Sequence, residues 1–191
     1  AFGVKYKGRG IAVLHKAPAM PSWSASSALI QMNENGSVKF NVGGIDYGQG
    51  TYTVLAQIIA ERLHIPLEKV HVVNETNTDT APYDWQTVAS RMTVLAGNAI
   101  IEACDDLVEQ IYELGSIVLH AGKHELAIGD ECVYVKQHPE NMLPYNKIAI
   151  GYVYSNGNSI GGPLIGRGKS IAQGLSFLDK ETGQGKPALD W

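Results

Sequence analysis

The stretch Gly43-Gly44-Ile45-Asp46-Tyr47-Gly48-Gln49-Gly50-Thr51, GGIDYGQGT, sets four glycines and one glutamine directly before an amphipathic run. Beyond it, Val54, Leu55, Ile58, Ile59 and Leu63 fall on one face of a helix that Thr51 or Thr53 would cap and Pro66 would stop. Before it, Ser27 to Met32 and Ser37 to Val42 flank the polar turn Asn33-Glu34-Asn35-Gly36, and the alternation of Val38, Phe40 and Val42 reads as one arm of a β-hairpin. The glycines therefore join a strand to a helix. Glycines in that place let backbone N–H groups close on an anion, and a helix N-terminus adds roughly half a positive charge. The same pattern also describes a plain tight turn. Gln49 favours a ligand, because an amide between two glycines offers both a donor and an acceptor to a heteroaromatic edge.

Working outward, Val70-His71-Val72-Val73 makes a short strand, and a polar loop from Asn74 to Gln86 leads to a second helix from about Ser90 to Leu114, ended by Gly115. The order is β-β-α-β-α, an α+β class. After Gly115 the reading gives a strand at Ser116 to Leu119, a hairpin joining Glu125–Ile128 to Cys132–Lys136 through Gly129-Asp130, and an amphipathic piece at Tyr145 to Tyr152. From Ser155 to Trp191 the chain is punctuated by glycine, with only Ile171 to Leu178 resembling an ordered element. Residues 1–115 are thus expected to be an α+β domain. Residues 116–191 are expected to be a hairpin followed by a glycine-rich connector lying on the remainder of a longer subunit.

Bulk composition narrows the partners. At 191 residues and 45% hydrophobic content the chain can bury a core. Its 15 Lys+Arg against 19 Asp+Glu give a net charge of −4 with the charges scattered, so nucleic acid and anionic membranes are not expected and a small-molecule ligand is. Cys104 and Cys132 stand apart without a C-x-x-C, which fits a reduced, cytoplasmic setting and argues against a cysteine metal site. No signal-peptide pattern and no apolar run of the roughly 20 residues that span a bilayer occurs.

A second polar cluster ends where the second helix begins: Thr87, Ser90 and Thr93 set three hydroxyls around Arg91, a suitable arrangement for a phosphate or pyrophosphate. An ordinary capped helix shares that pattern. Other features fall away. GPLIGRGKS, Gly162 to Ser170, puts Pro163 where a phosphate loop of the Walker type needs its first glycine. His120 and His124 have helical metal-pair spacing, but Gly122 lies between them, and solvated histidines are the simpler reading. Asp105, Asp106 and Glu109 form the wet face of a helix, and Cys104 beside Leu107 reads as packed rather than reactive.

The series GRGIA (Gly8 to Ala12), the NENGSV turn, GGIDYGQGTYTVLAQIIAERLHIPLEKVHVV (Gly43 to Val73) and NTDTAPYD…ASRMT…AGNAIIEA (Asn77 to Ala103) together resemble the molybdopterin-binding large subunit of the molybdenum hydroxylases. That is the xanthine dehydrogenase and aldehyde oxidase family, and the 4-hydroxybenzoyl-CoA reductase branch looks nearest. The resemblance covers residues 8–114 well and 165–191 more loosely. It implies that Tyr47, Gly48, Gln49 and Gly50 meet the pterin of a molybdenum–molybdopterin cofactor, plain or as its cytosine dinucleotide. It also implies that Ala89 lies near the molybdenum, that the backbone of Ser90, Arg91, Met92 and Thr93 holds the cofactor phosphate, and that Met20 and Trp23 line a substrate channel. No side chain of this chain is implied as a direct metal ligand.

The departures carry further expectations. The family's catalytic glutamate belongs to a G-x-G-E motif, and neither that motif nor the phenylalanine-bearing glycine loop upstream occurs here, so the chain reads as an internal fragment, inactive alone and prone to self-association. Gln86 stands where many relatives have glycine. In the intact enzyme the resemblance implies oxidation of N-heterocycles or aldehydes, or reduction of an aromatic thioester, with electrons leaving through FAD and 2Fe–2S partners. A reading from another class remains beside it: a non-catalytic module that binds a phosphorylated ligand or nucleotide, or a scaffold subunit.

Overall fold

The computed structural model describes residues 5–14, 23–74 and 77–186. Strand β1 (Ala25–Met32) turns through Gly36, at φ 81°, into β2 (Val38–Val42), and the two pair antiparallel with Leu29 opposite Asn41. Helix α1 (Thr51–Leu63) follows and returns the chain to β3 (Val70–Val72), which pairs parallel to β2. A π-helical turn at Met92–Ala96 then runs into α2 (Gly97–Val118). This is the β-β-α-β-α order expected from the sequence.

The main sheet has a fourth strand. Strand β9 (Ile165–Ile171), within the stretch expected to be a connector, pairs antiparallel to β1, giving the order β3-β2-β1-β9 with Leu29 opposite Arg167. Its glycines explain both the misreading and the placement. A Cβ at Gly166 would meet the Ala103 carbonyl at 2.0 Å, and one at Gly168 would meet that of Ala99 at 1.9 Å, so α2 lies directly on this strand. The ordered element of the tail is thus Ile165–Ile171 rather than Ile171 to Leu178. The expected border between residues 115 and 116 runs through α2.

Gly115 does not end the second helix either. It sits inside α2 facing Val133, whose methyl carbons would lie 3.3 Å from a Cβ there, so it admits a neighbour rather than terminating the helix. Ser116 to Leu119, expected as a strand, forms the last turn of α2 and its cap. Beyond it, β4 (Leu126–Gly129), β5 (Cys132–Val135) and β6 (His138–Pro144) make a small antiparallel sheet whose first hairpin matches the sequence reading. Two short strands, β7 (Tyr152–Val153) and β8 (Ser159–Ile160), precede β9.

Both helices cover one face of the main sheet. Ile30 and Phe40 from the sheet meet Leu55, Ile59, Ile100, Leu107 and Ile111 from the helices, all at most 1% exposed. Each such side chain contributes roughly 1.5–3 kcal/mol by leaving water. Cys104 lies in this core, and burial pushes its thiol up to about 12, in keeping with a packed rather than reactive cysteine. Tyr145 joins the small sheet to α1 through its buried hydroxyl, which donates to the Leu63 carbonyl at 3.1 Å.

Candidate functional site

The glycine loop 43–50 uses its four glycines in two ways. Gly43 and Gly44 provide space: a Cβ at the first would meet the Pro82 carbonyl at 2.2 Å, and at the second the Met92 Cε at 2.1 Å. Gly48 and Gly50 provide conformation, at φ 112° and 83° with open space around them. Between these pairs the loop is held by its own polar residues. The Asp46 carboxylate accepts from the N–H groups of Gly48 (2.9 Å), Gly50 (3.3 Å) and Tyr52 (3.1 Å). These bonds, those of Gly48 and Tyr52 foremost, hold its carboxyl below the usual carboxylate range.

The start of α1 is therefore not an empty anion site: it carries its own anion. Gly50, not Thr51 or Thr53, is the cap residue, and no side chain at that position makes a capping bond. Gln49 is engaged as well. Its Oε1 accepts from the Tyr47 N–H at 2.9 Å, and its Nε2 donates to the Ile45 carbonyl at 3.0 Å and to Thr51 Oγ1 at 2.8 Å. Both amide protons are taken. What remains for a ligand is acceptor capacity at Oε1.

The second motif runs beside the start of β1. Ser27 N–H donates to the Tyr83 carbonyl and Trp85 N–H to the Ala25 carbonyl, with a bridge pairing Ser26 and Asp84 between them. The chain then passes through Ala89 and Ser90, both left-handed at φ 50° and 52°, uncommon for residues with a side chain. The Arg91 N–H closes the turn onto the Val88 carbonyl at 3.1 Å.

Arg91 does not offer its guanidinium to a phosphate. The side chain is 0% exposed and paired with Asp84, itself 2% exposed, at 2.6 Å, with the Trp85 ring centroid 5.7 Å from its Cζ. Nor is its N–H a free donor, since Val88 already accepts it. By contrast, the side chains of Ser90 and Thr93 are exposed and engage no partner among the described residues.

The two loops meet across a cleft of about 350 Å³. Ile45 N–H donates to Thr87 Oγ1 at 2.9 Å, and the Tyr47 hydroxyl donates to the Thr87 carbonyl at 2.7 Å, so Thr87 is the hinge between them. Six residues singled out in the sequence line the cleft: Tyr47, Gln49, Ala89, Ser90, Met92 and Thr93. Gly48, Gly50 and Arg91 are not part of the lining. Thr51, Val54, Thr87 and Val88 complete the lining. Of these only Thr87 had a signal as a site residue, its hydroxyl beside those of Ser90 and Thr93.

Trp23 is 58% exposed and packs its ring against Phe177, centroids 6.4 Å apart, outside this lining. Met20 lies outside the described residues. A larger cleft of about 630 Å³, bounded by the β1–β2 turn and the small sheet, touches neither motif. Among the described residues no group of three or more His, Cys, Asp or Glu is placed to hold a metal ion.

A scan against family models matches residues 2–191 to the molybdopterin cofactor-binding domain. The chain belongs to that family. It is 28% identical over 139 residues to the putative xanthine dehydrogenase molybdenum-binding subunit of Escherichia coli (strain K12), covering 71% of this chain and 18% of that protein. It is 34% identical over 112 residues to the probable hypoxanthine oxidase of the same organism, covering 59% of this chain and 12% of that one. Among solved structures, CO dehydrogenase from Oligotropha carboxidovorans matches with a TM-score of 0.68 at 29% identity, over 78% of this chain and 18% of that chain. The chain thus spans less than a fifth of the length of these relatives.

The residues that line the cleft fit such a group in kind. At about 350 Å³ the cleft is at the small end of ligand pockets, room for a flat bicyclic ring together with a phosphate. Its wall alternates the exposed hydroxyl-bearing Ser90 and Thr93 with the small Ala89 and the apolar Val54 and Met92, a surface that suits a polar heteroaromatic ring ending in a phosphate.

Proposed function

We propose that the cleft between the glycine loop and the Ala89–Thr93 turn holds the pterin and phosphate of the molybdenum cofactor, as part of a larger oxidoreductase subunit. The observation that carries this reading is the convergence on one cleft of two motifs separated by α1 and β3. When bound, the cofactor supplies two-electron redox chemistry; this chain's share is binding and orientation. Gln49 Oε1 accepts from an N–H on the pterin edge while its amide protons keep the loop closed. Ser90 and Thr93 hydroxyls face the phosphate, and Ala89, with only a methyl group, leaves room for the metal end. Trp23, its ring against Phe177, lines the approach of the substrate.

The substrate class is an electron-poor carbon in an N-heterocycle or aldehyde, or an aromatic thioester run reductively. FAD and 2Fe–2S partners and the remainder of the large subunit complete the electron path, and the setting is cytoplasmic; no helix among the described residues is long and apolar enough to cross a membrane. The test uses the full-length parent protein. Ala89→Leu, which fills the cleft, is expected to lower bound molybdenum and oxidised-pterin fluorescence at least about 10-fold, a loss of roughly 1.4 kcal/mol in binding, while circular dichroism stays unchanged. Full retention of both in the variant, or an active parent with neither, overturns the assignment.

A further inference from the structure

We infer that Ser26, Asp84 and Arg91 are positioning residues for this cleft: their buried cluster holds the left-handed pair Ala89–Ser90 in the shape that faces the ligand. The inference rests on the reading of the cleft as the cofactor site, and it assigns a role to residues that do not line it.

The cluster is dense. Arg91 Nη2 donates to Asp84 Oδ1 at 2.6 Å and Nη1 to Oδ2 at 3.5 Å. Ser26 Oγ donates to Asp84 Oδ2 at 2.6 Å and accepts from Arg91 Nη1 and Nη2 at 3.1 and 3.2 Å. A longer bond of 3.4 Å reaches the Ala25 carbonyl. Ser26 is 1% exposed and sits in β1, in the middle of the main sheet. The cluster therefore ties the second loop to an interior strand of the main sheet.

Stability alone is a weak reason for such a cluster. Buried ion pairs are often matched or exceeded by apolar residues of similar volume, and this one leaves Arg91 Nε buried without a partner among the described residues. What it does is mechanical. Asp84 and Arg91 are the two ends of a loop of eight residues, and their bond closes it. Ala89 and Ser90, adjacent in that loop, both adopt positive φ without being glycine. Strained backbone of this kind persists only where its surroundings over-determine it. The clamp at residues 84 and 91 supplies that determination. If it is released, the pair has every reason to relax to ordinary φ, taking Ala89 and the Ser90 hydroxyl out of the cleft wall.

The experiment compares cofactor retention in the full-length parent. Asp84→Asn keeps the shape of the side chain and removes its charge. It is expected to speed the loss of pterin on dilution about 10-fold or more, and Ser26→Ala about 2- to 13-fold, as for one hydrogen bond. The decisive variant adds Ala89→Gly to Asp84→Asn. Glycine takes positive φ without strain, so retention is expected to return to within about threefold of wild type, while the melting temperature stays lowered because the buried pair is still broken. A merely structural role predicts no such rescue.

Wild-type retention in Asp84→Asn, or a double variant as leaky as the single one, overturns the inference. Should Asp84→Asn not fold, Ser26→Ala with and without Ala89→Gly carries the same comparison. A wild-type parent that binds no pterin overturns instead the assignment of the cleft, and is told apart because it needs no variant.

Discussion

Two helix starts in this molecule have the same appearance in sequence and opposite states in structure. Ahead of α1, glycines and a helix N-terminus form an anion site that is already filled by the chain's own Asp46. Ahead of α2, the left-handed Ala89–Ser90 turn and the exposed Ser90 and Thr93 hydroxyls stand open to the cleft, and the one formal cation there, Arg91, is turned inward onto Asp84. A helix N-terminus is thus an opportunity that the chain itself can take. Which of two starts is left for a ligand depends on where the acidic side chains go: Asp46 to its own amides, Asp84 to its arginine.

The contact that brings the two loops together is the point at which the comparison breaks most easily. In the 191-residue chain, Gly43→Ala pushes a methyl into the Pro82 carbonyl at 2.2 Å, backbone that has no easy way to move. We expect it to cost about 3 kcal/mol, the upper part of the overpacking range. Gly44→Ala meets instead the Met92 Cε at 2.1 Å and Sδ at 2.5 Å, the end of a flexible thioether that can swing aside. That variant should cost about 1 kcal/mol. Urea unfolding of both decides the matter, and equal costs would show that the loops are joined in another way.

A smaller effect separates brace from ligand contact at Gln49. The side chain holds Tyr47 N–H, Ile45 O and Thr51 Oγ1 within the glycine loop, so Gln49→Ala should lower stability by about 1 kcal/mol, because exposed bonds count at the low end of their range. Amide hydrogen exchange at Tyr47 should quicken at the same time. A variant with unchanged melting and unchanged Tyr47 exchange would return Gln49 to a purely ligand-facing role.

These loops also mark the line between what was legible in the sequence and what was not. The hairpin β1–β2, both helices and the β4–β5 hairpin follow from local periodicity, which a single chain displays openly. Strand β9 was hidden because its inner face is Gly166 and Gly168, small where a strand is ordinarily bulky, and the reason lies in the backbone of α2, far away in sequence. The same holds for the site. The two motifs, with Gln49, Ser90 and Thr93 of the lining, were readable as types at a spacing, whereas Tyr47, Ala89 and Met92 were implied only by the resemblance to a family. The roles of Asp46 and Arg91 were not, because both depend on which partner a charge finds after folding. For Asp46 a clue was present: aspartate two and four residues before glycines at a helix start is a pattern that takes N–H groups onto a carboxylate. For Asp84 and Arg91 no local pattern exists, since Ser26, the third member, comes from another strand.

The last prediction converts one helix start into the other. Asp46→Ala removes the carboxylate that answers Gly48, Gly50 and Tyr52, leaving their N–H groups at a positive helix end. The variant should melt below wild type, and inorganic phosphate should raise its melting temperature more than it raises that of wild type, where Asp46 already occupies the place. The pH dependence follows from the direction of the shift. Asp46 has a folded-state pKa below the ordinary carboxylate value, so its contribution is present above that value and is lost as pH falls through the folded-state one. Melting curves of Asp46→Asn, which cannot ionise, should therefore stay apart from wild type down to about pH 4 and converge on it as the buffer is taken on below that value, and diverge again on return. Curves that stay parallel across that window would show that the carboxylate at the start of α1 acts by shape rather than by charge, and the contrast with the open start of α2 would then rest on sterics alone.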